Sequence, residues 1–264
     1  MHEILERLRP GAYVLDLGSR TGSFPSDGLA CLTVCVDAQI PAVAPPGFVA
    51  ARAEALPFRD GQFQAVISNH SLEHFEALDQ ALDEIGRVVD KNGFLYVAVP
   101  DSSTITDRIY RWIARGGGHV NGFTSARYLA GLISEKTGLP HAGTRVLCTS
   151  LSFLNRANVR GWPRSRLWPL GGGHEAILRL MLYGLRLFDR LFHTRTCVYG
   201  WACYFGNGYE VHPGTWTNVC VRCGSAHYGA WLLEENLVKG RSFACPQCGA
   251  KNYFTDDSAF EFLR

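Results

Sequence analysis

The sequence predicts an α/β domain that opens on a βαβ unit, followed by a small metal-folded module. Two observations carry this. Two short apolar runs near the N-terminus each close on an acid, with a glycine turn between them. Two Cys-x-x-Cys pairs close the chain, Cys220 with Cys223 and Cys245 with Cys248. A hydrophobic content of 47% in 264 residues supports a sizeable core and excludes wholesale disorder.

The first element is Tyr-Val-Leu-Asp-Leu-Gly (13–18), a buried strand ending in Asp16 and Gly18. Ser19 to Gly22 turn the chain, and a short helix should follow. Leu-Thr-Val-Cys-Val-Asp (32–37) is the second strand, ending in Asp37. Strand, glycine turn, helix, strand and acid is the layout of a nucleotide-binding unit. The glycines let backbone N–H groups approach a ligand, and the acid accepts from ribose hydroxyls. Residues 77–89 carry apolar side chains at helical spacing, and Lys91-Asn-Gly93 should end that helix. Residues 93–99 read as a buried strand. Residues 103–115 and 124–136 read as helices, the second capped by Thr124 or Ser125. The glycine-rich stretch 116–124 between them reads as a flexible polar loop. Residues 145–154 and 196–206 are further strands.

Four stretches come in order after the βαβ unit: Ala-Glu-Ala-Leu-Pro-Phe (53–58), residues 60–69, Ser-Leu-Glu-His (71–74) and residues 93–100. With the first strand and turn, they make residues 1–150 closely resemble class I S-adenosylmethionine-dependent methyltransferases of the UbiE/COQ5-like, type 11 group. The resemblance implies a Rossmann-like seven-stranded sheet flanked by helices. It also makes residues 145–154 and 196–206 strands six and seven. Asp16, Gly18, Ser19 and Gly22 would line the methionine end of S-adenosylmethionine. Asp37 would hold the ribose, Ala53 and Glu54 would edge the adenine, and Asn69 would offer its carbonyl. Three positions depart from the family pattern. Arg20 replaces a glycine and Arg52 an aspartate, and the prolines of 39–47 replace a helix.

Methyl transfer to oxygen calls for a base that titrates near neutrality. His70, His74 and His119 are the candidates, with one of the three expected to serve. Ser68-Asn-His-Ser71 stands where enzymes that methylate base nitrogens carry Asn/Asp-Pro-Pro-Tyr/Phe. The expected acceptor is therefore an oxygen of a small molecule, a sugar or a lipid-linked glycan. RNA is the alternative acceptor, and a non-catalytic scaffold is the second alternative.

Charge is unevenly spread. Residues 1–100 hold 7 Lys/Arg against 13 Asp/Glu, while residues 101–219 hold 14 against 6. A basic middle third suits an anionic or lipid-linked acceptor. Much of that charge lies in an insert, 155–195, between strands six and seven. Its first part carries Arg156, Arg160, Arg164 and Arg166 with Trp162 and Trp168. Its second, 174–193, reads as an amphipathic helix with Arg179, Arg186 and Arg190 on one face. That helix is expected to contact a membrane surface, to pack on the domain, or to join a homodimer. RNA is a less favoured partner, because residues 220–264 hold 5 basic and 5 acidic residues.

Cys220, Cys223, Cys245 and Cys248 have the spacing of a zinc ribbon, and a closed four-thiolate site makes Zn2+ structural. So short a module cannot bury enough apolar surface to fold without the metal. The expected domains are 1–206, a linker 207–218, and the ribbon 219–264. Cys31, Cys35, Cys148, Cys197 and Cys203 are scattered singly through apolar runs, as in a reduced, cytoplasmic protein, one that could sit on the inner face of a membrane. The N-terminus is charged and amphipathic, unlike a signal peptide, and no apolar run is long enough to predict a transmembrane helix.

Overall fold

A computed structural model describes residues 1–24, 26, 29–113, 118–148, 174–208, 218–219, 226–239, 242–246 and 251–254. Seven strands form one sheet: β1 (Tyr13–Leu17), β2 (Leu32–Asp37), β3 (Phe48–Ala50), β4 (Phe63–Asn69), β5 (Val89–Pro100), β6 (His141–Cys148) and β7 (Val198–Phe205). Their order is β3-β2-β1-β4-β5-β7-β6. The first five run parallel, with Asp16 beside Cys35 on β2 and Ile67 on β4. Strands buried on both faces need near-continuous apolar sequence, and β1 and β4 supply it. Val14, Leu15, Leu17, Val66 and Ile67 are all 1% exposed or less.

Chain contacts divide the molecule into two compact units. One comprises residues 1–100, 118–144 and 202–212, the other 101–117, 145–201 and 213–264. In the first unit, α2 (Leu78–Val88) buries Ala81, Leu82, Ile85 and Val88, the stripe that its periodicity dictates. The three larger side chains, Leu82, Ile85 and Val88, each contribute about 1.5–3 kcal/mol. α2 packs on α4 (Ala126–Thr137). Gly86 allows the approach, since a Cβ there would lie 2.8 Å from the Thr137 Cα. Ser125 caps α4 by accepting from the Tyr128 amide.

Several boundaries differ from expectation. Val89 leaves α2 directly into β5, so Lys91-Asn-Gly93 lies within the strand and does not end the helix. The described residues between β1 and β2 carry turns and bends, with no helix. The proline-rich stretch after Asp37 leads to β3, a three-residue strand that no periodicity announces. β6 starts four residues before the expected strand, and residues 149–154 lie outside the described part.

In the second unit, α3 (Ile105–Ile113) and α5 (Glu175–Phe192) share a core in which Ile113 and Leu178 are fully buried. Asp189 closes the end of α5, accepting from the amides of Thr196 and Cys197 and from the Thr194 hydroxyl, at 2.6–2.7 Å. The arginines of α5 correct the sequence reading. Arg179 and Arg186 point the same way around the helix, but Arg186 is only 4% exposed. Arg179 donates to the Lys251 carbonyl at 2.7 Å. Arg179 and Arg186 are therefore engaged within the protein, while Arg190 on the same side is exposed. The exposed stripe is apolar, formed by Ile177, Leu180, Leu187, Phe188, Leu191 and Phe192. No described helix is long and apolar enough to cross a membrane.

The C-terminal segment forms two small antiparallel pieces. One is the hairpin of β8 (Asn218–Val219) and β9 (Ala226–His227). The other is the sheet of β10 (Val238–Lys239), β11 (Ser242–Ala244) and β12 (Lys251–Tyr253). The short helix α6 (Gly229–Glu234) connects them. The Arg145 guanidinium of β6 lies 4.6 Å from the centre of the Tyr228 ring, a cation–π contact in a fully buried setting.

Candidate active site

The site is built at the ends of β1, β2 and β4, where parallel strands leave a crevice for a ligand. After β1 the chain turns through Gly18 (φ 71°), Arg20 (φ 47°) and Gly22 (φ 102°). The amides of Gly18 and Ser19 donate to the Val36 carbonyl, which ties the turn to β2. Gly18 is obligatory for a second reason. A Cβ there would lie 2.4 Å from the Ser71 Cβ. Ser71 is itself fixed, its hydroxyl donating to the Leu17 carbonyl at 2.9 Å and sharing a hydrogen bond with Ser68.

Asp16 and Asp37 face this turn in different ways. Asp37 accepts the Arg20 amide on one oxygen and the Gln39 amide on the other. Arg20 therefore takes the left-handed conformation expected of a glycine, and its amide helps to place the acid. Asp16 is 1% exposed, and its Oδ2 accepts from the Ser23 amide at 2.7 Å. Its Oδ1 has no hydrogen-bond partner among the described residues. Burial pushes its carboxyl up to about 6, against the Ser23 hydrogen bonds. A buried carboxylate with one bare oxygen calls for a cationic ligand group.

On the other side of the crevice, Ala53 is buried. Glu54 accepts from the Ala77 amide and from Arg52, whose guanidinium also reaches Glu76 at 2.9 Å. Arg52 thus joins two carboxylates, which accounts for a cation where the family pattern has an acid. Asn69 ends β4 beside Ala98 of β5 and is half-buried.

The chain then turns at His70, whose φ of 55° puts a non-glycine residue in the left-handed region. Its amide donates to the Ala98 carbonyl at 2.8 Å. A 3₁₀ turn, Leu72–His74, follows. The 118–121 segment is clamped onto this turn, which corrects the expectation of a loose loop. The amides of Val120 and Asn121 both donate to the Glu73 carbonyl. The Asn121 side chain donates to the carbonyls of Leu72 and Phe75, at 3.0 and 2.7 Å. His119 is thereby set edge-on to His74, ring centres 4.9 Å apart. The three candidate histidines thus share one corner. Burial, with His119 and His74 adding to it, pushes His70 down to about 4. His74 is also lowered, chiefly by burial, although its hydrogen bond with the Gly118 carbonyl acts the other way. Both rings are therefore neutral at pH 7.

Sequence reasoning missed Ser71, Glu73 and Asn121. Glu73 stands inside the Ser-Leu-Glu-His stretch, but only its burial, at 2% exposure, sets it apart from a surface acid. Of the four ribbon cysteines, Cys245 is described. It is buried, with Sγ 3.5 Å from the His227 Nε2. Cys220, Cys223 and Cys248 lie outside the described residues.

Comparison with known proteins agrees with this architecture. Residues 15–97 match the family model described as a methyltransferase domain. A malonyl-[acyl-carrier protein] O-methyltransferase of Methylococcus capsulatus is 30% identical over 133 residues, 45% of this chain and 48% of that one. The chain thus spans about half the length of that curated relative. Among solved structures, a protein described as a methyltransferase from an antibiotic biosynthesis pathway of Anabaena variabilis superposes with a TM-score of 0.50 at 19% identity. That match covers 77% of this chain and 93% of the other. A chain from the Haloferax volcanii complex of a methyltransferase with its Trm112 activator also gives 0.50, at 15% identity over 79% and 88%. Sheet order, the turn after β1 and the family match coincide: residues 15–97 match a methyltransferase domain, within a sheet of the fold that those solved structures share.

Proposed function

We propose that this protein transfers the methyl group of S-adenosylmethionine to an oxygen of a small molecule, a sugar or a lipid-linked glycan. The observation that carries the reading is the buried Asp16, with one bare oxygen, on the turn that also presents Asp37. Asp16 suits the ammonium of the cofactor's methionine, and Asp37 suits the ribose diol. When bound, the cofactor supplies a sulfonium methyl: the acceptor oxygen forms the new C–O bond as C–S breaks, and that electron pair stays on sulfur. The chain's own part is alignment and proton removal. One histidine of the His70, His74 and His119 corner can accept the acceptor's proton. The curated relative is named as an O-methyltransferase, which supports oxygen as the acceptor atom.

Calorimetry with S-adenosylhomocysteine tests the cofactor reading. Asp37→Ala should weaken binding by about 1–3 kcal/mol, the cost of leaving buried hydroxyls unpartnered. Unchanged binding, or binding of NAD in its place, overturns the assignment. Labelled methyl transfer to glycan, lipid-extract and RNA fractions then identifies the acceptor. Label in RNA would replace the present reading, and label in none would favour a scaffold.

For the C-terminal segment we propose one structural zinc on Cys220, Cys223, Cys245 and Cys248. The support is their spacing, together with the burial of Cys245 where β11 ends. Protein purified without added metal should hold about one zinc on these thiolates. Retention of that zinc by Cys245→Ser would refute the assignment.

A further inference from the structure

The corner that gathers the candidate bases holds more than a base needs. Glu73, His74 and His119 each bring a ligand atom within 4.8 Å of the other two. His70 flanks them, its Nδ1 4.0 Å from the Glu73 carboxylate. We propose that this corner is a divalent-cation site, with Glu73, His74 and His119 as ligands and His70 beside them, and that the ion's open positions take the acceptor's oxygens. The consequence for the acceptor rests on the methyltransferase reading above; the ion site itself does not.

Five features support it. The donor set is two imidazoles and one carboxylate, which suits Zn2+, Mn2+, Fe2+ or Co2+. Three protein ligands leave positions open for substrate, as a catalytic ion requires. The tautomer of His74 is set from outside the cluster. Its Nδ1 can only donate to the Gly118 carbonyl, 3.0 Å away, so the lone pair stays on Nε2. A backbone carbonyl holding the far nitrogen is the usual support of a metal-bound imidazole. The third ligand is delivered by a built device, since the Asn121 clamp locks 118–121 onto the 3₁₀ turn that carries Glu73 and His74. Finally, His70 is held at φ 55°, a conformation costing about 1–3 kcal/mol that persists when its surroundings impose it, and such strain gathers at functional sites.

The chemistry follows from the ion's charge. A hydroxyl bound to a divalent cation loses its proton far more readily than in water. An acceptor with two neighbouring oxygens, such as a vicinal diol, an enediol or a hydroxy acid, would occupy two open positions at once. One oxygen would then be oriented toward the methyl group. The acceptor class is thereby narrowed from any hydroxyl to a chelating pair of oxygens.

The test uses the full-length protein after chelator treatment, with Mn2+ as the probe, because a four-thiolate ribbon discriminates against that ion. Loss of the free Mn2+ resonance signal should report about one site per chain. Glu73→Gln and His119→Ala should each weaken Mn2+ binding at least tenfold, while calorimetric binding of S-adenosylhomocysteine stays as in the parent. His119 is partly exposed, so its variant tests the site even where Glu73→Gln fails to fold. Parent-like Mn2+ binding by both variants, or no site in the parent, overturns the proposal. Parent Mn2+ binding without S-adenosylhomocysteine binding would leave the ion site standing and remove the methyltransferase reading.

Discussion

The ends of β1 and β4 solve the same problem with opposite residues. Both strands turn sharply into the crevice through a left-handed residue: Gly18 after β1 and His70 after β4. At β1 the residue must be glycine, because Ser71 occupies the space a side chain would need. At β4 no such neighbour intrudes. The backbone there accepts a histidine, whose amide is held by Ala98 and whose ring joins His74 and His119. The β1 end presents backbone amides and two acids. The β4 end presents imidazole nitrogens. A strand end therefore takes glycine where the backbone itself must approach a neighbour, and tolerates strain where the side chain is the useful part.

The largest expected effect is on the β1 side. Gly18→Ala places a Cβ 2.4 Å from the Ser71 Cβ at φ 71°. It should cost about 2–4 kcal/mol, from overpacking and strain together, and abolish S-adenosylhomocysteine binding. A denaturation midpoint unchanged from the parent would show that the two strand ends are not in contact as described.

Asp16→Asn comes next and should move stability the other way. The Asp16 carboxyl rises from 3.8 unfolded to about 6 folded. The folded state therefore binds the proton more tightly. Stability from this group is fully present below pH 3.8 and is lost as pH rises toward and through 6. Above that range ionised Asp16 costs the ligand-free protein up to about 3 kcal/mol. Asp16→Asn should recover much of this at pH 8 and almost none at pH 4, while weakening cofactor binding. Denaturant titrations at the two pH values read the difference, and an equal effect at both would refute the buried-charge account.

The smallest effect sharpens the β4 side. At a left-handed position glycine is the relaxed residue, so His70→Gly should be more stable than His70→Ala by about 1 kcal/mol. In an ordinary strand the order is reversed. Alanine proving the more stable would mean that His70 is not strained.

The sequence made the parallel core legible because each strand and helix carries its own pattern. β1, β2 and β4 are apolar runs, the first two with acids at their ends, and α2 and α4 show their buried stripes in periodicity alone. Asp16 and Asp37 were readable as acids beside the turn for the same reason, since each lies at the end of a recognisable strand. What stayed hidden depends on partners distant in the chain. Arg52 looked like a defect until Glu54 and Glu76 came together around it. The loop holding His119 looked loose because Asn121 meets Leu72 and Phe75 only after folding. The burial of Arg186 was not legible because helical periodicity groups residues by angle, and it does not say which angle the rest of the protein covers.

The contact between Gly18 and Ser71 has a consequence for how such a protein can change over generations. A single substitution adding bulk at either position meets the other, so each gate opens only if its counterpart is already small. Positions 18 and 71 therefore form an epistatic pair. A library that varies the two together should recover combinations that neither single-site scan would reveal, and the order in which the changes arise decides whether the path is passable.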